Sequence, residues 1–167
     1  MDHLTRQYRR LIIAGLDLTH SLRCVRELLA RVPLPPVETN GVVYALNLAA
    51  VISYSRAFTA NKTGTSRPTT ACLPSSVLKI YDPAEHAIHS NVLARRDREF
   101  AHSDADALEV QFTILPGGGE AGSVRQTQQV FNHPTLRQFE LMIVRMLAAI
   151  DERKRDLASK LGPGTHS

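Results

Sequence analysis

Two long apolar repeats of helical period constrain this 167-residue chain more than anything else in it. Between residues 3 and 31, Leu4, Tyr8, Leu11, Ala14/Gly15, Leu18, Leu22, Val25 and Leu28/Leu29 recur every three or four positions. That spacing puts them on one face of a helix, and arginines occupy much of the other. Pro33, Pro35 and Pro36 stop it, because proline fixes φ and lacks an N–H to donate. The pattern returns from Thr135 to about Leu161 with Leu136, Phe139, Ile143, Met146/Leu147 and Ile150. Asn132 and Pro134 open that helix and Gly162-Pro163-Gly164 closes it, a normal pair of start and stop signals.

Two more helices are predicted between them. One runs from about Thr39 to Thr59, with Thr39 or Asn40 as its N-cap. Its segment Val42 to Ile52 is apolar on nearly all sides, so it should be the most buried helix. That run is well short of the ~20 residues a membrane span needs. The other starts at Asp82-Pro83, with Glu85 in the capping-box position, and runs to about Ala101. Residues 60–76, rich in Thr, Ser and Pro, read as a flexible loop, and 162–167 as a disordered tail. Leu108, Val110, Phe112 and Ile114 alternate with polar residues, Pro116 to Gly119 turns the chain, and Ser123 to Val130 is a weaker second strand. The expectation is a single all-α domain over 1–167: a four-helix bundle with one β-hairpin, 107–130, inserted before the last helix.

Apolar residues make up 43% of the chain, charged ones 22%, and the net charge is +4. A mild basic excess without a dense Lys/Arg run is compatible with nucleic acid but does not require it. Cys24 and Cys72 have no metal-ligand spacing, and Cys24 lies on the first helix as a small core residue. His86 and His89, one turn apart, could touch one ligand, but they lack a carboxylate or thiolate at metal spacing. Gly117 to Gly119 lacks the Lys-Ser/Thr of a phosphate loop. Neither a metal nor a cofactor is therefore expected. The charged, mixed start is not that of a signal peptide, so the expected location is cytoplasmic.

Chemistry concentrates in Arg95-Arg96-Asp97-Arg98-Glu99-Phe100-Ala101-His102-Ser103-Asp104. His89, Leu93, Arg96 and Phe100 point in nearly one direction on a helix, so Arg96 falls on an apolar stripe. A guanidinium there must be paired, or must face a cleft or partner. His102 is suited to proton transfer near neutral pH. Arginine can hold a phosphate by two parallel bonds, and a histidine can take the proton of a ribose 2′-hydroxyl. Together they suffice for RNA cleavage without a metal. The two lie roughly 240° apart on a straight helix. Either the helix ends before His102, or a twofold dimer completes the site. The structural alternative pairs a buried Arg96 with Glu85, Glu99 or Asp104 and makes His102 a helix-end cation. Ser103 and Asp104 orient the imidazole or begin a turn. Arg56 is a second phosphate contact or a helix-end cation. Arg56, Arg95, Arg98, His89 and Ser103 are the candidate substrate contacts.

The string Leu93-Ala94-Arg95-Arg96-Asp97-Arg98-Glu99-Phe100-Ala101-His102-Ser103-Asp104 resembles the signature of the HEPN superfamily. It is similar to the form found in small bacterial HEPN-like proteins of abortive-infection and toxin–antitoxin systems. Tyr54-Ser55-Arg56-Ala57-Phe58-Thr59 and the downstream strand pair also look like that group. The resemblance implies an all-α bundle and homodimerisation through the motif helices. In many members it also implies metal-independent endoribonuclease activity. By position, Arg96 and His102 would be the catalytic pair and Asp97 their polar support. Asp97 stands where Asn is frequent in active members, and a carboxylate there competes with phosphate for Arg96. Other members are non-catalytic binding modules, some paired with a nucleotidyltransferase; an antitoxin is the other partner the resemblance implies.

Overall fold

A computed structural model of the chain describes residues 3–31, 41–59, 72–97, 108–114, 120–126 and 131–164. These residues are mostly helical. The elements are α1 (His3–Arg31), α2 (Gly41–Arg56), a 3-10 turn (Ser75–Ile80), α3 (Pro83–Arg95), β1 (Leu108–Ile114), β2 (Glu120–Gln126) and α4 (His133–Leu161).

Neighbouring helices run antiparallel. Asp17 of α1 meets Arg56 of α2, while Ser21 further along α1 donates to the carbonyl of Ala50 further back on α2. Gly15 lies beside Ile150 of α4, and Arg26 pairs with Glu140. Glu85 of α3 pairs with Arg145 of α4, and Arg95 covers the ring of Phe131 just before α4. The shared core takes Leu18, Val25 and Leu28 from α1, Val51 and Tyr54 from α2, and Val92 from α3. α4 adds Leu136, Phe139, Met142, Ile143 and Met146, all at 0% exposure. Burial of these side chains is the main favourable contribution to folding, at about 1.5–3 kcal/mol for each large one before conformational entropy is set against it.

The caps explain where two helices start. Asp82 accepts from the N–H of Glu85 at 2.8 Å, and the Glu85 carboxylate accepts from the N–H of Asp82 at 3.0 Å. This reciprocal box, followed by Pro83, fixes the start of α3. Asn132 accepts from the N–H of Thr135 at 3.0 Å and does the same for α4. Gly162 ends α4 at φ 75°, where residues with a side chain are strained. The expected caps Thr39 and Asn40 lie outside the described residues.

One expectation about burial holds and two others change. α2 is the most buried of the four helices: six of its 16 residues are buried, polar Asn47 among them, although Val42 near its start is 56% exposed. The stretch expected as loop ends in helical turns, since Ser75–Ile80 is 3-10; residues 60–71 lie outside the described residues. β2 starts earlier than the weaker strand expected from Ser123. The antiparallel register sets Ile114 opposite Glu120 and Leu108 opposite Gln126, so pairing begins directly after residues 115–119.

Candidate functional site

α3 carries the candidate residues, and its environment sorts them. Its buried positions are Glu85, His89, Val92 and Arg95. The arginine most completely covered is therefore Arg95, at 6% exposure. Its guanidinium carbon lies 4.2 Å from the centre of the Phe131 ring, a cation–π stack that holds the head group in one orientation. Arg95 lines a groove of about 370 Å3 between α3 and the start of α4, together with Ile88, Asn91, Phe131, Asn132 and Thr135.

Arg96 differs from the expectation of a covered stripe position. It forms the C-cap of α3, with its N–H reaching the carbonyls of Leu93 and Val92. Its side chain is 31% exposed and pairs with Asp97 at 2.9 Å. The Asp97 side chain is 62% exposed, so this ion pair is open to water and salt. The α-helix ends at Arg95, seven residues before His102, and a π-type turn follows at Arg96 and Asp97. Arg98, His102 and Ser103 lie outside the described residues.

His89 requires a correction. It was expected to meet substrate, but it is 6% exposed and enclosed by aromatic rings. Phe58 stands 4.8 Å away edge-on and Tyr54 5.8 Å away. The His89 Nδ1 is 2.9 Å from the Tyr54 hydroxyl, which is itself 3.2 Å from the Tyr81 hydroxyl. Burial pushes the His89 imidazole below its ordinary pKa, and nearby His86 pushes the same way. Burial also raises the Tyr54 phenol far above its ordinary value and pushes Tyr81 up to about 12. The three side chains form a buried neutral chain that satisfies its own polar atoms. The placement of His89 one turn from Glu85 was legible in the sequence; the rings around it come from α2 and the segment before α3 and were not.

Arg56 belongs to the seam between α1 and α2, where it pairs with Asp17 at 3.4 Å. Burial raises the Asp17 pKa, and the Arg56 and His20 charges partly offset this. The structure thus brings Arg95 and Arg96 to one end of α3 and leaves Arg56 on another seam. Asn91, Asn132 and Thr135 are not among the site residues the sequence points to. The cap role of Asn132 was a readable signal; the groove, formed by two distant elements, was not.

Among the described residues, no group of three or more His, Cys, Asp or Glu side chains is arranged to hold a metal ion. Among them, too, no helix is long and apolar enough to cross a membrane. No protein-family model, curated protein or solved structure matches the chain.

Proposed function

We propose that this chain is a metal-independent endoribonuclease of a defence or toxin–antitoxin system, acting as a homodimer with Arg96 and His102 at the subunit seam. In this reading the fold is a four-helix, HEPN-like bundle with the β1–β2 hairpin inserted before α4. The observation that carries it is the state of Arg96: a partly exposed guanidinium at the end of α3, engaged by a carboxylate that water and salt can displace. A phosphate can replace that carboxylate through two charge-assisted bonds. His102 would take the proton of the ribose 2′-hydroxyl, whose oxygen attacks the adjacent phosphorus. The 5′-oxygen leaves and takes up a proton from the imidazolium or from water, and Arg96 stabilises the negative charge that builds on the phosphoryl oxygens. The products are a 2′,3′-cyclic phosphate and a 5′-hydroxyl.

The Arg96–Asp97 pair also favours a second reading. A carboxylate already on the guanidinium suits a non-catalytic HEPN-like dimer that binds nucleic acid or a protein, such as an antitoxin or a nucleotidyltransferase.

Incubation with RNA in EDTA, with end-group analysis of the products, separates the two. The nuclease reading expects cyclic phosphate ends, and loss of cleavage in Arg96→Ala and in His102→Ala with melting curves unchanged. Robust cleavage by the double variant sinks it. Sedimentation of wild type tests the dimer, and a monomer at all concentrations counts against both readings.

A further inference from the structure

Ile12, Ile13 and Leu16 of α1 and Leu141 and Val144 of α4 are exposed, and with Val42 they are all the large apolar side chains that are so among the described residues. On each helix they lie on the side away from the buried stripe. The Gly15–Ile150 and Arg26–Glu140 contacts set the antiparallel register of the pair. That register puts Val144 about five residues, roughly 7 Å, beyond Leu16 along the axis. The five therefore share the outer side of one helix pair. Leu16 at 68% and Leu141 at 62% stand furthest into solvent. Apolar side chains grouped in this way mark a surface that something covers. The charges beside them are mainly positive. Arg26 and Arg137 both donate to Glu140, at 2.8 and 2.9 Å, so one carboxylate neutralises only half of their charge. Arg23 is exposed on α1 at the level of Leu141. The two carboxylates of α1 are engaged, Asp17 by Arg56 and Glu27 by Arg31. On α4, Asp151 pairs with Lys154, and Glu152 lies in a separate cleft beside Arg153 and Lys160.

We propose that the outer side of α1 and α4 docks on an anionic lipid bilayer. Leu16 and its apolar neighbours enter the boundary between headgroups and acyl chains, and Arg23, Arg26 and Arg137 meet lipid phosphates. Arginine suits that level, because its stem lies along apolar surface while its head reaches the headgroups. A peptide helix docks into a groove, whereas these side chains project outward from two adjacent helix faces. A protein interface takes its register from charges of both signs; here one sign dominates, which matches a fluid anionic surface. The contact is peripheral, since no helix among the described residues is long and apolar enough to cross a membrane. It is independent of the nuclease reading, as none of these residues belongs to the end of α3.

The full-length protein is sedimented with vesicles of phosphatidylcholine alone and of phosphatidylcholine with about one third phosphatidylglycerol. Binding to the anionic vesicles is expected to be at least about tenfold tighter and to weaken as salt rises, since each arginine near the surface contributes roughly a factor of five. Arg23→Gln should lose about that factor on anionic vesicles and nothing on neutral ones. The double variant Ile13→Gln, Leu16→Gln should weaken binding to anionic vesicles by about tenfold or more. All three positions are exposed, so melting curves should match wild type and the losses cannot come from unfolding. The chain has no tryptophan, so Leu16→Trp adds a single reporter whose emission should shift to the blue on anionic vesicles. Absence of vesicle binding, equal binding to both compositions, or wild-type binding by the double glutamine variant overturns the proposal. Unshifted emission from the Leu16→Trp protein overturns it too, even where the protein sediments with vesicles. A solution dimer that the double glutamine variant dissociates assigns this face to a second copy and overturns the bilayer assignment.

Discussion

At the scale of single residues, α3 sets two neighbouring arginines in different surroundings. Periodicity places Arg96 on the stripe, but the side chain that is covered is Arg95, because Phe131, just before α4, stacks on it. A repeat read along one helix cannot register a ring contributed by a residue more than thirty positions away. Arg96 instead keeps water contact and takes Asp97. Since exposed pairs of this kind are worth only about 0.2–1 kcal/mol, Asp97→Asn is expected to free Arg96 and tighten RNA binding by up to about fivefold, with the gain shrinking as salt rises. Anisotropy titrations at two salt concentrations check this; unchanged or weaker binding at low salt removes Asp97 as a competitor. Asn47 makes a second residue-scale case. It is 1% exposed, and neither amide atom has a hydrogen-bond partner. A buried polar group in that state costs about 1–3 kcal/mol. Asn47→Leu, close in shape, is expected to raise stability by about 1 kcal/mol in urea unfolding. A loss of stability would show that the amide is doing something the leucine cannot.

At the scale of elements, the helices were the most readable part of the chain, for a physical reason. α1 and α4 each bury one stripe, so the repeat of Leu11, Leu18, Leu22, Val25 and Leu28, and that of Leu136, Phe139, Ile143, Met146 and Ile150, lie buried in the structure, with Ser21 and Met142 added and Leu4 and Tyr8 only half-buried. The Asp82–Glu85 box was readable because all its atoms come from one short segment. The burial of α2 is readable too, because a run that is apolar all round has little polar surface to offer water, though it does not say which side each neighbour covers. Gly15 is where an element carries a correctable weakness. It sits within α1, and a Cβ built there would meet only the Ile150 Cγ2, at 3.9 Å, an ordinary contact. Glycine in a helix interior is less favourable than alanine by roughly 0.5–1 kcal/mol, and nothing in the packing offsets that. Gly15→Ala is therefore expected to stabilise the chain by about that amount without changing the urea m-value. Destabilisation would mean that α1 and α4 approach more closely than 3.9 Å implies.

At the scale of the whole molecule, two ionisable groups on different faces should divide its acid sensitivity into separate windows. His89 is buried among Tyr54, Phe58 and Tyr81, and its folded pKa lies below its ordinary value of 6.5. Above that pH both folded and unfolded chains hold the imidazole neutral, and no stability depends on it. As pH falls below 6.5 the unfolded chain takes a proton that the folded chain resists, so stability declines until the folded pKa is reached. Glu140 follows at lower pH. Hydrogen bonds from Arg26, and then from Arg137, hold its carboxylate below the ordinary 4.5. Its contribution is therefore full above 4.5 and is lost as pH falls through the folded value. Melting temperatures measured from pH 8 to pH 3 are expected to begin falling near 6.5 and to fall further below 4.5, each group contributing at most about 1.4 kcal/mol per pH unit. His89→Gln, which can still bond to the Tyr54 hydroxyl, should flatten the first decline. Glu140→Gln should flatten the second and leave the first intact. If His89→Gln lowers the melting temperature equally at every pH, the imidazole stabilises by packing alone and the upper window has another origin.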